Sequence, residues 1–356
     1  MSTYYKELSN HRDTENTLEI LKALPDFCME FYNGHILRFT PKTQFNYAFK
    51  FRVFLTFLHE YNPYFSKKSI KDITLDDLSL LCQDDIEDFQ VWLRKKQNCP
   101  LKPGKSVEYN SASTIENYLA IVSSYYSYFV GKGKISRHPI LGMVREKKKE
   151  KPLIYMAEDD KKDFIQTVRT GNGLSEKQKT FFDKNALRDQ CIMILLLDTG
   201  IRVSELVGLD VDDIDFKHHK LKIMRKGNYE NEVFFSDDTT YLLQEYLEVR
   251  DMYQPVDDEN ALFLVGIGKY KGQRLSVRSI ETMVKKFAKA AGVSDFNKIT
   301  PHKLRSTYAM SMLNATGDVT IVQQQLGHSK IDTTMHYLQR DSTVKELHRN
   351  DNHLLS

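Results

Sequence analysis

Apolar side chains recur at helical spacing through the first 140 residues. One such stretch covers residues 15–32 and predicts a helix. A second starts at Thr40-Pro41, a hydroxyl cap followed by a residue of preset φ. It carries Phe45, Phe49, Phe51, Phe54, Phe57 and Leu58. A third begins near Thr74, with Asp76 and Asp77 in its first turn, where carboxylates suit the helix dipole. A fourth spans residues 113–130 and is rich in Ile, Leu and Tyr. Between the last two lies QNCPLKPGKSVEYNS, whose proline, glycine and polar content predicts a loop.

The pattern changes after the segment REKKKEKP, residues 145–152. This segment is charged, lacks an apolar period and ends in proline, so it predicts a linker. Lys147, Lys148, Lys149 and Lys151 make a solvated connector, and they also suit a path along a phosphate backbone. Beyond it, residues 185–197 form an apolar run expected as a buried helix. Residues 220–224 and 232–235 alternate apolar and polar around Lys226-Gly227-Asn228-Tyr229, which predicts a β-hairpin. Helical spacing resumes near residue 276 and continues nearly to the end. No internal repeat is visible. The expected fold is mainly α with a small β-sheet. At 356 residues the chain exceeds one typical core, so a helical domain and an α+β domain are expected.

Charge alone decides little. The 51 Lys and Arg nearly balance the 48 Asp and Glu, for a net +3, so a nucleic-acid surface would have to be a local one. Cys28, Cys82, Cys99 and Cys191 are widely spaced and fit neither a disulfide framework nor a zinc site. His218 and His219 are adjacent and make a poor metal pair. The polar start MSTYYKELSNHRDTEN does not read as a signal peptide, and the longest apolar run is too short for a bilayer. A cytoplasmic protein is expected, without a membrane role.

Four short segments carry candidate chemistry. In TPHKLRSTYAMSML, Thr300-Pro301 is a helix start, and His302 and Arg305 share one face of the first turn, where free N–H groups favour an anion. In DTGIRVSEL, Thr199-Gly200 ends one helix and Arg202 opens the next, with Glu205 placed to orient the guanidinium. A planar guanidinium suits a phosphoryl group because it donates two parallel hydrogen bonds. At the hairpin tip, Lys226 follows Arg225 on an arm able to reach into a site. In QQQLGHSKIDTTMHYLQR, Gly327 reads as a helix stop, Ser329 as a cap, His328 lies in the break, and Tyr337 ends a short helix. Each segment alone has an ordinary structural reading; tyrosine occurs 19 times in the chain.

Taken together, Arg202, Lys226, His302-x-x-Arg305, Leu326-Gly327-His328 and Tyr337 resemble the active-site signature of the tyrosine recombinase (phage integrase) family. Order and gaps match: 24 positions from Arg202 to Lys226, 23 from Arg305 to His328 and 9 from His328 to Tyr337. Within the family the chain is similar to the bacterial Xer recombinases, most of all the XerS type. Two departures stand out: Arg225 stands where glycine often precedes the hairpin lysine, and Ile331-Asp332 replaces the more usual Leu-Ser.

The resemblance implies a two-domain DNA clamp. A helical core-binding domain would cover residues 1–144, a basic linker 145–152, an α+β catalytic domain 153–340, and a tail 341–356 that docks on a neighbouring protomer. Val344, Leu347, Leu354 and Leu355 would be the tail's apolar anchors. Arg202 and Arg305 would clamp the scissile phosphate, with His328 adding a hydrogen bond. Tyr337 would attack phosphorus to form a 3′-phosphotyrosine, Lys226 would protonate the leaving 5′-oxygen, His302 would assist proton transfer and Glu205 would support the set. Neither metal nor ATP is implied; among the residues themselves there is no carboxylate cluster for Mg²⁺ and no phosphate-binding glycine loop. The implied partners are double-stranded DNA at a specific site, three further copies in a homotetramer on two sites, and an FtsK-like DNA translocase. The implied role is resolution of chromosome dimers at a dif-like site for cell division. The alternatives are a mobile-element integrase or excisionase-type recombinase, a catalytically idle DNA-binding protein on the same fold, and a DNA-relaxing topoisomerase.

Overall fold

A computed structural model describes residues 3–95, 109–143, 153–225, 229–256 and 260–327. The chain divides into two compact units, Lys6–Glu150 and Lys151–Ser356, with Met1–Tyr5 grouped with the second. Among the described residues the architecture is mainly helical with one small sheet, as the hydrophobic pattern predicts.

Among its described residues the first unit has the α-helices α1 (Thr3–Lys22), α2 (Asp26–His35), α3 (Pro41–Tyr61), α4 (Leu75–Ser79), α5 (Gln83–Lys95) and α6 (Ala112–Gly131). The expected single helix over residues 15–32 is two, because Pro25 lacks the N–H and the freedom to continue α1 and instead caps α2. The expected helix from Thr74 is also two. Thr74 and Asp77 form a reciprocal capping box at the start of α4, the Asp77 carboxylate accepting from the Thr74 N–H at 2.8 Å. The chain then turns, and the Cys82 N–H is taken by the Asp85 carboxylate at 2.9 Å, which starts α5 afresh. Thr40 caps α3 as expected, accepting from the Thr43 N–H with Pro41 in the first turn. The core is aromatic: Tyr125 of α6 lies between Phe31 and Phe51, with ring centroids 3.8 and 3.7 Å away.

The second unit contains α7 (Glu158–Thr170), α8 (Glu176–Asp183), α9 (Ala186–Thr199), α10 (Val203–Val207), β1 (Ile214–Asp215), β2 (Lys220–Arg225), β3 (Tyr229–Phe234), α11 (Asp237–Val249), α12 (Val277–Ala290), α13 (Pro301–Thr316) and α14 (Val319–Leu326). Helix α9 is the buried centre, as its unbroken apolar run predicts, with Cys191, Ile192, Met193, Leu195 and Leu196 withdrawn from solvent. The sheet has order β1-β2-β3 and is antiparallel throughout. Leu221 and Ile223 of β2 and Val233 of β3 face the core, which fixes the register Lys220↔Phe234 to Arg225↔Tyr229. Strand β3 begins at Tyr229, which the sequence pattern assigned to the turn; its polar start Tyr229-Glu230-Asn231 pairs with β2 rather than looping out. Among the described residues no helix is long and apolar enough to cross a membrane. Cys28 and Cys191 are buried free thiols and Cys82 is an exposed one.

Candidate active site

Four helix ends and one strand end meet in the second unit. Gly200 terminates α9 in the left-handed region, at φ +61, and a Cβ there would run into the Tyr308 ring. That turn sends the chain directly into Arg202, the N-cap of α10. The Glu205 carboxylate closes the turn, accepting from the Arg202 backbone N–H at 2.7 Å and from its Nη1 at 2.7 Å. Glu205 is buried, whereas the Arg202 side chain is 42% exposed. The pair thus fixes a guanidinium whose base is braced and whose face remains open to an incoming anion.

Arg305 reaches the same turn from α13. Pro301 occupies the first helical position and Thr300 the cap position; the Thr300 carbonyl receives the first helical bonds, while its hydroxyl makes no capping bond. One turn in, the buried Arg305 donates through Nη1 to the Gly200 carbonyl and through Nη2 to the Leu326 carbonyl at 2.6 Å. It therefore ties the end of α9 to the end of α14. His302 sits on the exposed side of the same turn. Its partial burial, and the positive charges of Lys303, Arg305 and Arg202, hold its pKa below the ordinary 6.5. The imidazole is consequently neutral in the DNA-free protein at neutral pH.

Arg225, at the end of β2, was noted in the sequence only as a departure. Its Nη2 donates to the Gln325 carbonyl at 2.9 Å, one residue before the carbonyl that Arg305 holds. Burial lowers its pKa, the Glu205 carboxylate raises it and Arg202 lowers it further, so the three groups share one field. Helix α14 stops where the pattern predicts, at Gly327 with φ +59. The Arg225 guanidinium lies against that glycine, where any Cβ would collide with Nη1.

Of the expected site residues, Arg202, Glu205, His302 and Arg305 are brought together. Lys226, His328 and Tyr337 lie outside the described residues, as do Ser329, Ile331, Asp332, the linker lysines Lys147, Lys148, Lys149 and Lys151, Cys99 and the tail. The described arrangement concentrates guanidinium groups around one buried carboxylate at helix termini, a setting that favours a bound anion such as a phosphodiester. His218 pairs with Asp215 and His219 approaches Thr240, and no cluster of three potential metal ligands occurs among the described residues.

Residues 155–343 match the model of the phage integrase family. The chain belongs to this family. Its relatives include the tyrosine recombinase XerS of Streptococcus uberis, 30% identical over 342 residues, covering 90% of this chain and 93% of the relative. In fold it is similar to the XerH site-specific recombinase bound to difH substrate, with TM-score 0.61 and 20% identity, covering 87% of this chain and 81% of the other. It is also similar to the Tn1549 transposon integrase in complex with a circular intermediate DNA, with TM-score 0.63 and 17% identity over 91% and 98% of the two chains. Membership makes the protein an enzyme of site-specific DNA recombination, as the signature in the sequence implies. It also gives the guanidinium cluster its frame, since Arg202, Glu205, His302 and Arg305 fall inside the matched segment, whereas the linker lysines precede it.

Proposed function

We propose that the protein binds double-stranded DNA at a specific recombination site and resolves chromosome dimers there, in the cytoplasm, through a 3′-phosphotyrosine on Tyr337. The observation that carries the chemistry is the joining of Arg202 and Arg305 at one turn, through the Gly200 carbonyl and the Glu205 carboxylate. The chromosomal role is supported by the XerS relatives along nine-tenths of the chain.

A phosphodiester resists attack because it is anionic and its leaving alkoxide is poor. The two arginines stabilise the charge that develops on the non-bridging oxygens in the pentacoordinate transition state, with His328 donating a further hydrogen bond. The Tyr337 hydroxyl oxygen forms its bond to phosphorus and gives up its proton, and the bond to the 5′-oxygen breaks. Lys226 supplies the proton to that oxygen, and neutral His302 assists proton transfer. The new phosphotyrosyl ester retains the energy of the broken bond, so a second 5′-hydroxyl reverses the step to rejoin strands without ATP. Each active site breaks and joins one strand, which calls for four protomers on two sites, linked by the tail after residue 341. Both units and the linker lysines contact DNA. An FtsK-like translocase is the activating partner.

The test of the target is a plasmid with two directly repeated copies of a dif-like site from the terminus region of the source chromosome. Conversion to two circles, lost in Tyr337→Phe, is expected. Covalent cleavage at other sequences but none at this one would overturn the chromosomal role and leave the chemistry standing.

A further inference from the structure

Arg225 is an expensive residue to place where it lies. It is half-buried at the end of β2, and its Nε and Nη1 are buried without an acceptor among the described residues. A buried donor left unpaired is destabilising, more so when charged, and an apolar residue of similar volume would avoid that cost. The guanidinium nevertheless holds the Gln325 carbonyl and occupies the face of Gly327. Arg305 takes the next carbonyl, of Leu326. The last turn of α14 is therefore held by two arginines, one from the end of β2 and one from α13.

We infer that Arg225 is a positioning residue that locks the β2-β3 hairpin to the end of α14 and so sets the reach of the adjacent Lys226. The inference rests on the proposed role of Lys226 as the acid for the leaving 5′-oxygen. Peptide continuity makes the argument short: the backbone of residue 225 is the root of residue 226. In general a two-stranded hairpin that rests on its own ladder alone is marginally stable. A hydrogen bond from the strand end to a helix terminus adds a restraint beyond the ladder. A fixed root matters because proton donation depends steeply on placement, and a displacement of about 1 Å costs on the order of 100-fold. Gly327 fits the same design twice over: its φ of +59 suits glycine, and its missing Cβ leaves the space in which the guanidinium lies.

The test compares two suicide DNA substrates that differ in one atom. One has the natural 5′-oxygen at the scissile phosphate and the other a bridging 5′-sulfur. A thiolate leaves without prior protonation, so the sulfur substrate removes the need for the acid and for whatever positions it. Arg225→Met keeps the length of the side chain and removes its donors. It is expected to form covalent adduct about 10- to 100-fold more slowly on oxygen, to regain most of that loss on sulfur, and to bind DNA as the native protein does. Arg225→Lys should fall between, since it retains the charge without the fork. Gly327→Ala should reproduce the defect, and its combination with Arg225→Met should be less than additive because both changes break one contact. If Arg225→Met proves unfolded by thermal melting, Arg225→Lys carries the same comparison. Native speed on oxygen in a folded variant would overturn the inference, as would an equal loss on both substrates. Lys226→Ala separates this from failure of the parent reading: if sulfur does not rescue that variant, Lys226 is not the acid, whereas if it does, only the role of Arg225 is at stake.

Discussion

Arg202 and Arg305, the two arginines of the proposed phosphate clamp, occupy an open and a closed position. Arg305 is buried and spends two donors on main-chain carbonyls, so it both builds the site and charges it. Arg202 is braced by Glu205 but partly exposed. Replacing either with alanine is expected to slow adduct formation by about 10²–10³-fold, the scale for loss of a preorganised donor. Only Arg305→Ala should also lower stability substantially, by about 1–3 kcal/mol, because the Gly200 and Leu326 carbonyls are left buried without it. Denaturant titration of the two variants checks the difference; equal stability losses would contradict it. His302 makes a pH prediction. Its folded pKa lies below the unfolded value near 6.5, so the unfolded chain takes up a proton that the folded site refuses. Its contribution is fully present above that pH and is lost as pH falls through it. Melting temperatures of His302→Gln should therefore drop less than those of the native protein between about pH 7.5 and pH 5.5; parallel curves would refute the assignment. The pairs Arg202–Glu205 and His302–Arg305 were legible in the sequence because each is three residues apart, whereas the Arg305 contact with the Gly200 carbonyl, 105 residues away, was not. The engagement of Arg225 was not, since its acceptor is 100 residues away and only folding brings the two together.

At the scale of elements, the apolar period located most helices but not their breaks. The split at Pro25 was available from the sequence, since proline ends a helix whatever the period around it. The split before α5 was not. Leu80 and Leu81 continue the apolar spacing, and the decisive contact is the Asp85 carboxylate on the Cys82 N–H, a capping bond that the period does not register. Strand β1, two residues long, is below any pattern's resolution and exists because Ile214 and Asp215 pair with Leu221 and Lys220. Helix α9 carries a second hidden feature, the buried pair Arg188 and Asp189. Arg188 holds the Leu264 carbonyl and the Asp189 carboxylate, which also receives Lys286 from α12. Asp189→Ala would leave the buried Arg188 without its carboxylate and take a partner from the half-buried Lys286, and it is expected to destabilise the second unit by about 3–5 kcal/mol. Urea unfolding followed at the second unit measures this, and a loss below about 1 kcal/mol would show the triad to be dispensable.

For the whole molecule, the fold class and the family were legible in the sequence because one depends on the apolar period and the other on the order of a few polar residues. What one chain does with its copies is not written in either. Removing residues 342–356 is expected to leave DNA binding intact while impairing tetrameric synapsis, which electrophoresis of complexes with one and two sites would separate. Unchanged tetramer formation would exclude tail docking. Covalent chemistry at Tyr337 is read most directly by incubating native protein and Tyr337→Phe with a nicked suicide DNA substrate and resolving the products on a denaturing gel. A protein–DNA adduct in the native protein alone, with binding retained in both, is the predicted result; an adduct that persists in Tyr337→Phe would contradict the account.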